Sequence, residues 1–328
     1  MPTRWVGIDE AGYGPNLGPL VMTAVVAESP DQRKPDLWGD LAGSVARAGG
    51  NPGRLWVDDS KAVYKGGQNR ERLDAACLAV LTAVSARNEP NLGADSAPNE
   101  PRPAKALTLD QVFQALRAGT VEEVELRPWL EPGGSPEVGP GPASDPFDGA
   151  PWRLVSVRAA IVGPARFNQG LDRHGSKAGV HFDAFAELLK DVWESAPAGV
   201  DVVVSGDKHG GRHFYYEPLL SVFPDAWIDR GPEGPSLSRY TVRQGGRRLE
   251  LSLRPRADGD DGLVALASLV SKSVREHWMD VFNAYWARRV PGLSPTAGYP
   301  VDASRFRREL EAAIPEGLPD PSLWWRRK

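Results

Sequence analysis

The chain has 328 residues, 41% hydrophobic and 25% charged, with a formal net charge of −4, which excludes a low-complexity or wholly disordered protein and allows one large domain or two. One cysteine, Cys77, excludes an internal disulfide framework and fits a reducing cytoplasm. No apolar run approaches the roughly 18 residues of a membrane span and the N-terminus lacks a secretory pattern, so a soluble cytoplasmic protein is expected.

Residues 3–9 and 20–27 read as two strands rich in Val, Ile and Met, separated by a turn with three glycines and two prolines. A helix over 69–87 carries Leu73, Cys77, Val80 and Val84 on one stripe. From 88 to 105 and again from 127 to 151 the composition turns to Pro, Gly, Asn and acid, which predicts exposed loops flanking a short helix at 108–118. Residues 88–150 carry 11 acids and 4 bases, so the rest of the chain is net positive. A modestly basic body with an acidic insertion permits a nucleic-acid partner without demanding one.

Regular structure resumes with the alternating strand 153–162, a helix at 181–195 built on Phe182, Phe185, Leu188, Leu189 and Val192, and the apolar strand in "GVDVVVSGD" (199–207). A hairpin is expected over 239–254 around Gly245-Gly246, and a long helix over 262–289. Strands followed by helices, with no internal repeat, indicate an α/β fold with a mixed sheet flanked by helices and a helical C-terminal portion.

Acids recur at strand ends. Asp9 and Glu10 end the first strand, Asp207 follows the strand at 202–204, and "RADGDDG" (256–262) precedes the long helix. Strand ends are where α/β sheets assemble sites. Converging carboxylates repel one another unless a cation compensates, and an all-oxygen set suits Mg²⁺ or Mn²⁺ rather than zinc. A two-ion site of that kind serves phosphodiester cleavage. Each acid alone also reads as a solvated turn residue, and Asp261 reads as an N-cap. The five histidines lack zinc spacing, Cys77 lies on a core stripe, and the glycine-rich turn lacks the ending of a phosphate-binding P-loop.

Four segments in order resemble type 2 ribonucleases H, the HII and HIII enzymes. "GIDEAGYGPNLGPLVMTAVV" is similar to their opening strand-turn-strand with its Gly-x-Asp-Glu-x-Gly hallmark, and "VDDSKAVYK" (57–65) to their Asp-Ser-Lys segment. "ALASLVSKSVREHWM" (265–279) resembles their Ala-Ala-Ser-Ile helix, and "GYP" (298–300) their Gly-Tyr segment. The resemblance implies a single ribonuclease H-like catalytic domain, with insertions at about 88–151 and 213–254 and a helical portion at about 262–328. It implies cleavage of the RNA strand of RNA–DNA hybrids, or of ribonucleotide-containing DNA, by a monomer using Mg²⁺ or Mn²⁺, two ions in all.

Carried over, the family's four acids fall on Asp9, Glu10, Asp207 and Asp258, with Asp261 the fallback for the fourth and Asp9 between the two ions. Asp207 matches only approximately, because Ser205-Gly206 stands between it and the expected strand. Gly12, Tyr13, Gly14, Ser60, Lys61, Lys208, Arg212 and Tyr299 are the implied substrate contacts, the glycines letting a nucleic-acid backbone approach. The family's Gly-Arg-Gly turn reads Gly12-Tyr13-Gly14 here, which removes a guanidinium from the reader of the 2′-hydroxyl. Two other readings stay open: a non-catalytic nucleic-acid binder of the same fold, and a nuclease acting on DNA structures. The terminal "LWWRRK" is either a partner contact or packing.

Overall fold

The computed structural model describes residues 2–65, 67–88, 106–117, 128–130 and 135–327. Strands β1 (Thr3–Ala11) and β2 (Leu20–Ser29) pair antiparallel around the glycine-proline turn. A one-turn helix α1 (Leu37–Asp40) and the short paired strands β3 (Val45–Ala46) and β4 (Leu55–Trp56) lead into α2 (Ser60–Val63) and α3 (Arg70–Asn88). Next come β5 (Leu107–Thr108), α4 (Leu109–Leu116), β6 (Glu137–Val138), β7 (Arg153–Val162), α5 (Pro164–His174), α6 (Lys177–Ser195) and β8 (Asp201–Asp207). The remainder is α7 (Tyr216–Val222), β9 (Trp227–Glu233), β10 (Ser238–Gln244), β11 (Arg247–Arg254), α8 (Gly262–Arg289) and α9 (Pro300–Ala313).

Seven strands form one mixed sheet in the order β7-β2-β1-β8-β11-β10-β9. At its centre β1, β8 and β11 run parallel, and the other neighbours are antiparallel. Successive side chains alternate between the two faces. Leu20, Met22, Ala24 and Val26 face α6, whose stripe is Phe185, Leu188, Leu189 and Val192. Val21, Val25 and Ala27 face the opposite layer, where α3 and α8 pack. Among the described residues no helix is long and apolar enough to cross a membrane.

Helix α8 crosses β1 at Gly7. A Cβ there would overlap the backbone of Leu263 and Val264, so only glycine permits this approach. At the same end, a Cβ on Gly262 would come within 2.8 Å of Leu37. Asp261 caps the helix, its Oδ1 accepting from the N–H of Leu263 at 3.0 Å and of Val264 at 3.4 Å, and its Oδ2 pairs with Lys34 Nζ at 2.7 Å.

Several expectations need correction. The strand expected at 3–9 continues to Ala11, so Asp9 and Glu10 stand inside it, opposite Thr23 and Met22. The strand expected to end near Val204 runs through Ser205 and Gly206 to Asp207, held by Ile8 on one side and by Ser252, Leu253 and Arg254 on the other. The hairpin expected over 239–254 forms as β10 and β11 around Gly245-Gly246, with β11 lying in the sheet between β8 and β10.

Within 88–151, residues 89–105, 118–127 and 131–134 lie outside the described residues. The helix expected at 108–118 forms as α4, and the described part of the expected loop at 135–151 is mostly irregular, with Pro136, Glu137 and Ser144 exposed. Helix α4, started by a Thr108–Gln111 capping box, buries Leu109, Val112, Phe113 and Leu116, and Trp129, Val138 and Phe147 join the same core. Cys77 is buried in that core, and burial pushes its thiol up to about 12.

The chain end also packs. Trp324 is buried, and Trp325 bridges to Leu17 in the turn.

Gly7→Ala is expected to cost at least ~2 kcal/mol by overpacking, since the obstacle is helix backbone and not a flexible side chain. Gly43→Ala, where a Cβ meets nothing within 4 Å, should stay within about 0.5 kcal/mol of the parent. Urea unfolding of the two variants checks both values.

Candidate active site

Register places the first two acids side by side. Ile8 is the partner of Gly206 in the parallel pair β1–β8, so Asp9 and Asp207 are level, one residue further on, and project to the same face. Adjacent strands lie about 4.8 Å apart. Glu10 projects to the other face. On the far side of β8, Arg254 of β11 pairs with Asp207. Four residues after it, Asp258 sits in the 3₁₀ turn Ala257–Gly259 that precedes α8. Three parallel strand ends therefore deliver Asp9, Glu10, Asp207 and Asp258 to one edge of the sheet.

The acids feel one another. Asp9 is buried, and its carboxyl is held well above the usual range by burial first and then by Glu10, while a bond from Ser268 of α8 and the charge of Asp258 act in opposite senses. Asp207 is raised by burial, against the backbone N–H groups of Lys208, Arg256 and Ala257, with Glu10 raising it further. The Lys208 N–H donates to Asp207 Oδ1 at 2.9 Å. Arg256 takes the left-handed conformation, φ 57°, which a non-glycine residue adopts at a cost. Asp258 is pushed up to about 6, by burial, then Asp59 and Asp207, with Lys61 opposing. Among the described residues no three His, Cys, Asp or Glu side chains stand close enough to hold one ion as they are. Drawing these carboxylates together requires side-chain rotation, in the direction their mutual repulsion resists.

The structure separates the two candidates for the fourth acid. Both oxygens of Asp261 are committed, to the N-terminus of α8 and to Lys34, which excludes it from the cluster. Asp258 is the one coupled to Asp9 and Asp207.

Three participants escaped the sequence reading. Asp59 caps α2, accepting from the Lys61 N–H at 2.8 Å, and adds its charge to Asp258. Ser268 bonds Asp9 and lies 3.2 Å, oxygen to oxygen, from Ser60. His181 is buried with Nε2 3.4 Å from Glu10 Oε2. A second acid beside the Asp-Ser-Lys segment was the available signal for Asp59. Nothing in sequence joins His181 to Glu10.

The expected substrate contacts divide. Gly12 has φ 89°, and a Cβ on it would come 2.5 Å from the carbonyl of Pro19 and 2.6 Å from Arg275 Nε. Its glycine thus serves the chain's own packing, and only Gly14 has open space above it. Tyr13 stacks edge-on against His181, ring centres 4.9 Å apart, and Arg212 acts on it electrostatically. Lys61 is exposed beside Asp258, whereas Ser60 is turned inward to Ser268. Lys208 is buried with Nζ donating to Ser238 Oγ at 2.7 Å, so its ammonium points into the protein, away from any phosphate outside. Tyr299 is 54% exposed at the start of α9, next to Gly298, whose carbonyl accepts from the N–H of Asn16 and Leu17.

No protein-family model and no curated protein matches the chain. Among solved structures it is similar to the ribonuclease HII of Archaeoglobus fulgidus, solved in a PCNA complex, at 13% identity and TM-score 0.39, with 96% of each chain covered. It is similar to the ribonuclease H2 of Pyrococcus horikoshii at 15% identity and TM-score 0.40, covering 98% of this chain and 92% of that one. Aquifex aeolicus ribonuclease H3 matches at 12% identity and TM-score 0.35, covering 98% of this chain and 71% of that one. These are ribonucleases of the HII and HIII kinds, those that the four sequence segments resemble.

An acid whose folded pKa is raised destabilises the fold once ionised. For Asp258 that penalty grows as pH rises from the ordinary 3.8 to about 6 and persists above. Asp258→Asn should therefore raise the unfolding midpoint in divalent-free buffer at pH 8 and leave it nearly unchanged at pH 4. Thermal melts at the two pH values check this; a lowered midpoint at pH 8 would mean that the carboxylate has a compensating partner.

Proposed function

We propose that the chain is a metal-dependent endonuclease that hydrolyses the RNA strand of RNA–DNA hybrids or of ribonucleotide-containing DNA. One observation carries the reading: Asp9 and Asp207 stand level on adjacent parallel strands, with Asp258 in the turn beside them and all three carboxyls pushed up. The four sequence segments supply the reaction class.

The donor set fits a hard divalent cation. It is all oxygen and negatively charged, and the carboxyls of Asp9, Asp207 and Asp258 are raised by burial first and then by neighbouring acids, a cost that bound cations would reverse. Asp9, Glu10, Asp207 and Asp258 would hold Mg²⁺ or Mn²⁺, two ions in all. When bound, such ions supply an activated water and charge stabilisation at the departing oxygen.

The chain's own residues do the rest. Ser268 orients the Asp9 carboxylate from α8, and the N–H groups after β8 and before the 3₁₀ turn orient Asp207. Lys61, exposed beside Asp258, is the nearest phosphate ligand, and Arg212 brings a guanidinium to Tyr13. The N–H groups of the Gly12-Tyr13-Gly14 turn read a 2′-hydroxyl, the group that separates RNA from DNA. Tyr299 offers an exposed ring for sugar stacking. Lys208 and Asp261 have no part in substrate or metal binding, and the protein acts as a monomeric single catalytic domain.

Asp9→Asn should keep hybrid binding while reducing Mg²⁺- or Mn²⁺-dependent cleavage to background. The same substitution should shrink the rise in melting temperature that Mn²⁺ gives the wild type. A gel assay on RNA–DNA hybrid, on DNA with one ribonucleotide and on structured all-DNA substrates, paired with Mn²⁺ melts, tests this. Wild-type protein inert toward every hybrid in both metals ends the ribonuclease reading. Cleavage confined to ribose-free substrates replaces it with a DNA nuclease.

A further inference from the structure

The turn that follows the two leading acids is held from beneath by two buried arginines, one of them two residues before Lys328. Arg326 is fully buried. Its Nη2 donates to the carbonyl of Gly12 at 2.7 Å and to that of Pro15. Its backbone N–H donates to the Asn16 carbonyl at 2.7 Å, and its own carbonyl accepts from Asn16 Nδ2 at 2.8 Å. From α8, Arg275 is 2% exposed, and its Nη2 donates to the carbonyls of Leu17 at 3.2 Å and Ala297 at 3.1 Å. Among the described residues Arg326 Nε and Nη1 and Arg275 Nε have no hydrogen-bond partner.

Two neighbouring guanidiniums out of water are costly. Burial, with Arg275 adding to it, brings Arg326 down to about 9. A buried hydrophobic side chain would fill the volume without that cost, so the charge itself has a use. Apart from the contact of Arg275 Nη1 with Glu276 Oε1 at 3.4 Å, each bond the pair makes goes to a backbone carbonyl of the turn or of the Ala297 segment. In a trans peptide the carbonyl and the following N–H point opposite ways. Pinning the Gly12 carbonyl to Arg326 therefore fixes the Tyr13 N–H pointing away from it.

We propose that Arg326, with Arg275 behind it, is a positioning residue that presents the Gly12–Gly14 turn as an anion and hydroxyl receptor for the sugar-phosphate backbone beside the acid cluster. This rests on the hybrid-nuclease reading above and adds to it the final residues of the chain. The tail then belongs to the substrate site, although none of its side chains touches substrate.

Arg326→Gln keeps the side chain polar and removes its charge and fork. Steady-state cleavage of an RNA–DNA hybrid should show KM raised roughly tenfold, the equivalent of one well-made interaction, with kcat changed much less. Arg326→Lys should restore part of the loss, and the salt dependence of KM should be shallower in the Gln variant than in wild type. A merely structural role would lower the active fraction, and so kcat, and leave KM alone. Equal KM in wild type and Arg326→Gln overturns the proposal, as does a loss confined to kcat. Should the Gln variant fail to fold, Arg326→Lys decides by the same criterion, raised KM for and unchanged KM against. Wild type run in parallel separates the two claims: if it neither binds nor cleaves hybrid, the nuclease reading has failed, and if it does both while the variants match it, only the role of Arg326 has.

Discussion

The approach of α8 to β1 at Gly7 is the contact on which the site depends. A helix lying on a sheet normally stands off by the thickness of its side chains, and here the missing Cβ lets helix backbone reach strand backbone. That closeness puts Ser268 on Asp9, and Ser271 Oγ 2.7 Å from Thr23 Oγ1 and 3.2 Å from the carbonyl of Asp9. It also fixes where α8 begins, and hence where the seven residues joining it to β11 must turn. Asp258 is carried in that link. An α8 displaced by one side-chain layer would separate Asp258 from Asp9 and leave the parallel strand ends with only their own acids.

Electrostatics makes the frame necessary. The carboxyls of Asp9, Asp207 and Asp258 are raised by burial first and then by neighbouring acids, which the fold holds closer than they would stand if free to part. Surface loops would relax by moving apart. Strand ends locked by register cannot, and the one irregular piece, the left-handed Arg256, turns N–H groups toward Asp207. Asp261 contributes from outside the cluster by capping α8 and pairing with Lys34, so that two acids three residues apart have unrelated tasks.

That division shows how far residues alone could be read. The mixed sheet, the helical C-terminal portion and the gathering of acids at strand ends were legible, because period-2 and period-3.6 patterns and strand-end carboxylates are local signals. The choice between Asp258 and Asp261 was not, since both precede the same helix and only packing shows which one the helix consumes. Strand β8 was read short because Ser205 and Gly206 are weak strand formers, a preference overridden by pairing on both sides. At Gly206 a Cβ would come 3.1 Å from the Ile8 carbonyl, so the residue that hid the strand is also the one that fits it. Trp129 and Phe147 were missed as core because single aromatics in Pro- and Gly-rich sequence carry no period. Their burial is decided by distant partners, such as Phe282, whose ring centre is 5.0 Å from that of Trp129.

The same blindness to distance explains the chain end. "LWWRRK" has the composition of an exposed basic tail, yet Trp324 packs in the core, Asn168 Nδ2 donates to the Trp325 carbonyl at 2.8 Å, and Arg326 enters the protein beneath a turn more than 300 residues away. The turn from Gly12 to Gly18 is thus fixed on three sides, by the tail, by Arg275 of α8 and by the carbonyl of Gly298. Such bracing is more than a surface connection between two antiparallel strands requires, since β1 and β2 already pair along their whole length. It makes sense where a turn must hold its backbone dipoles in a set orientation against a charged partner. The acids of β1 end at the edge where this turn starts, so one continuous stretch of backbone joins the acid cluster to the braced turn. Under the proposed function a phosphodiester with its counter-ions would need both.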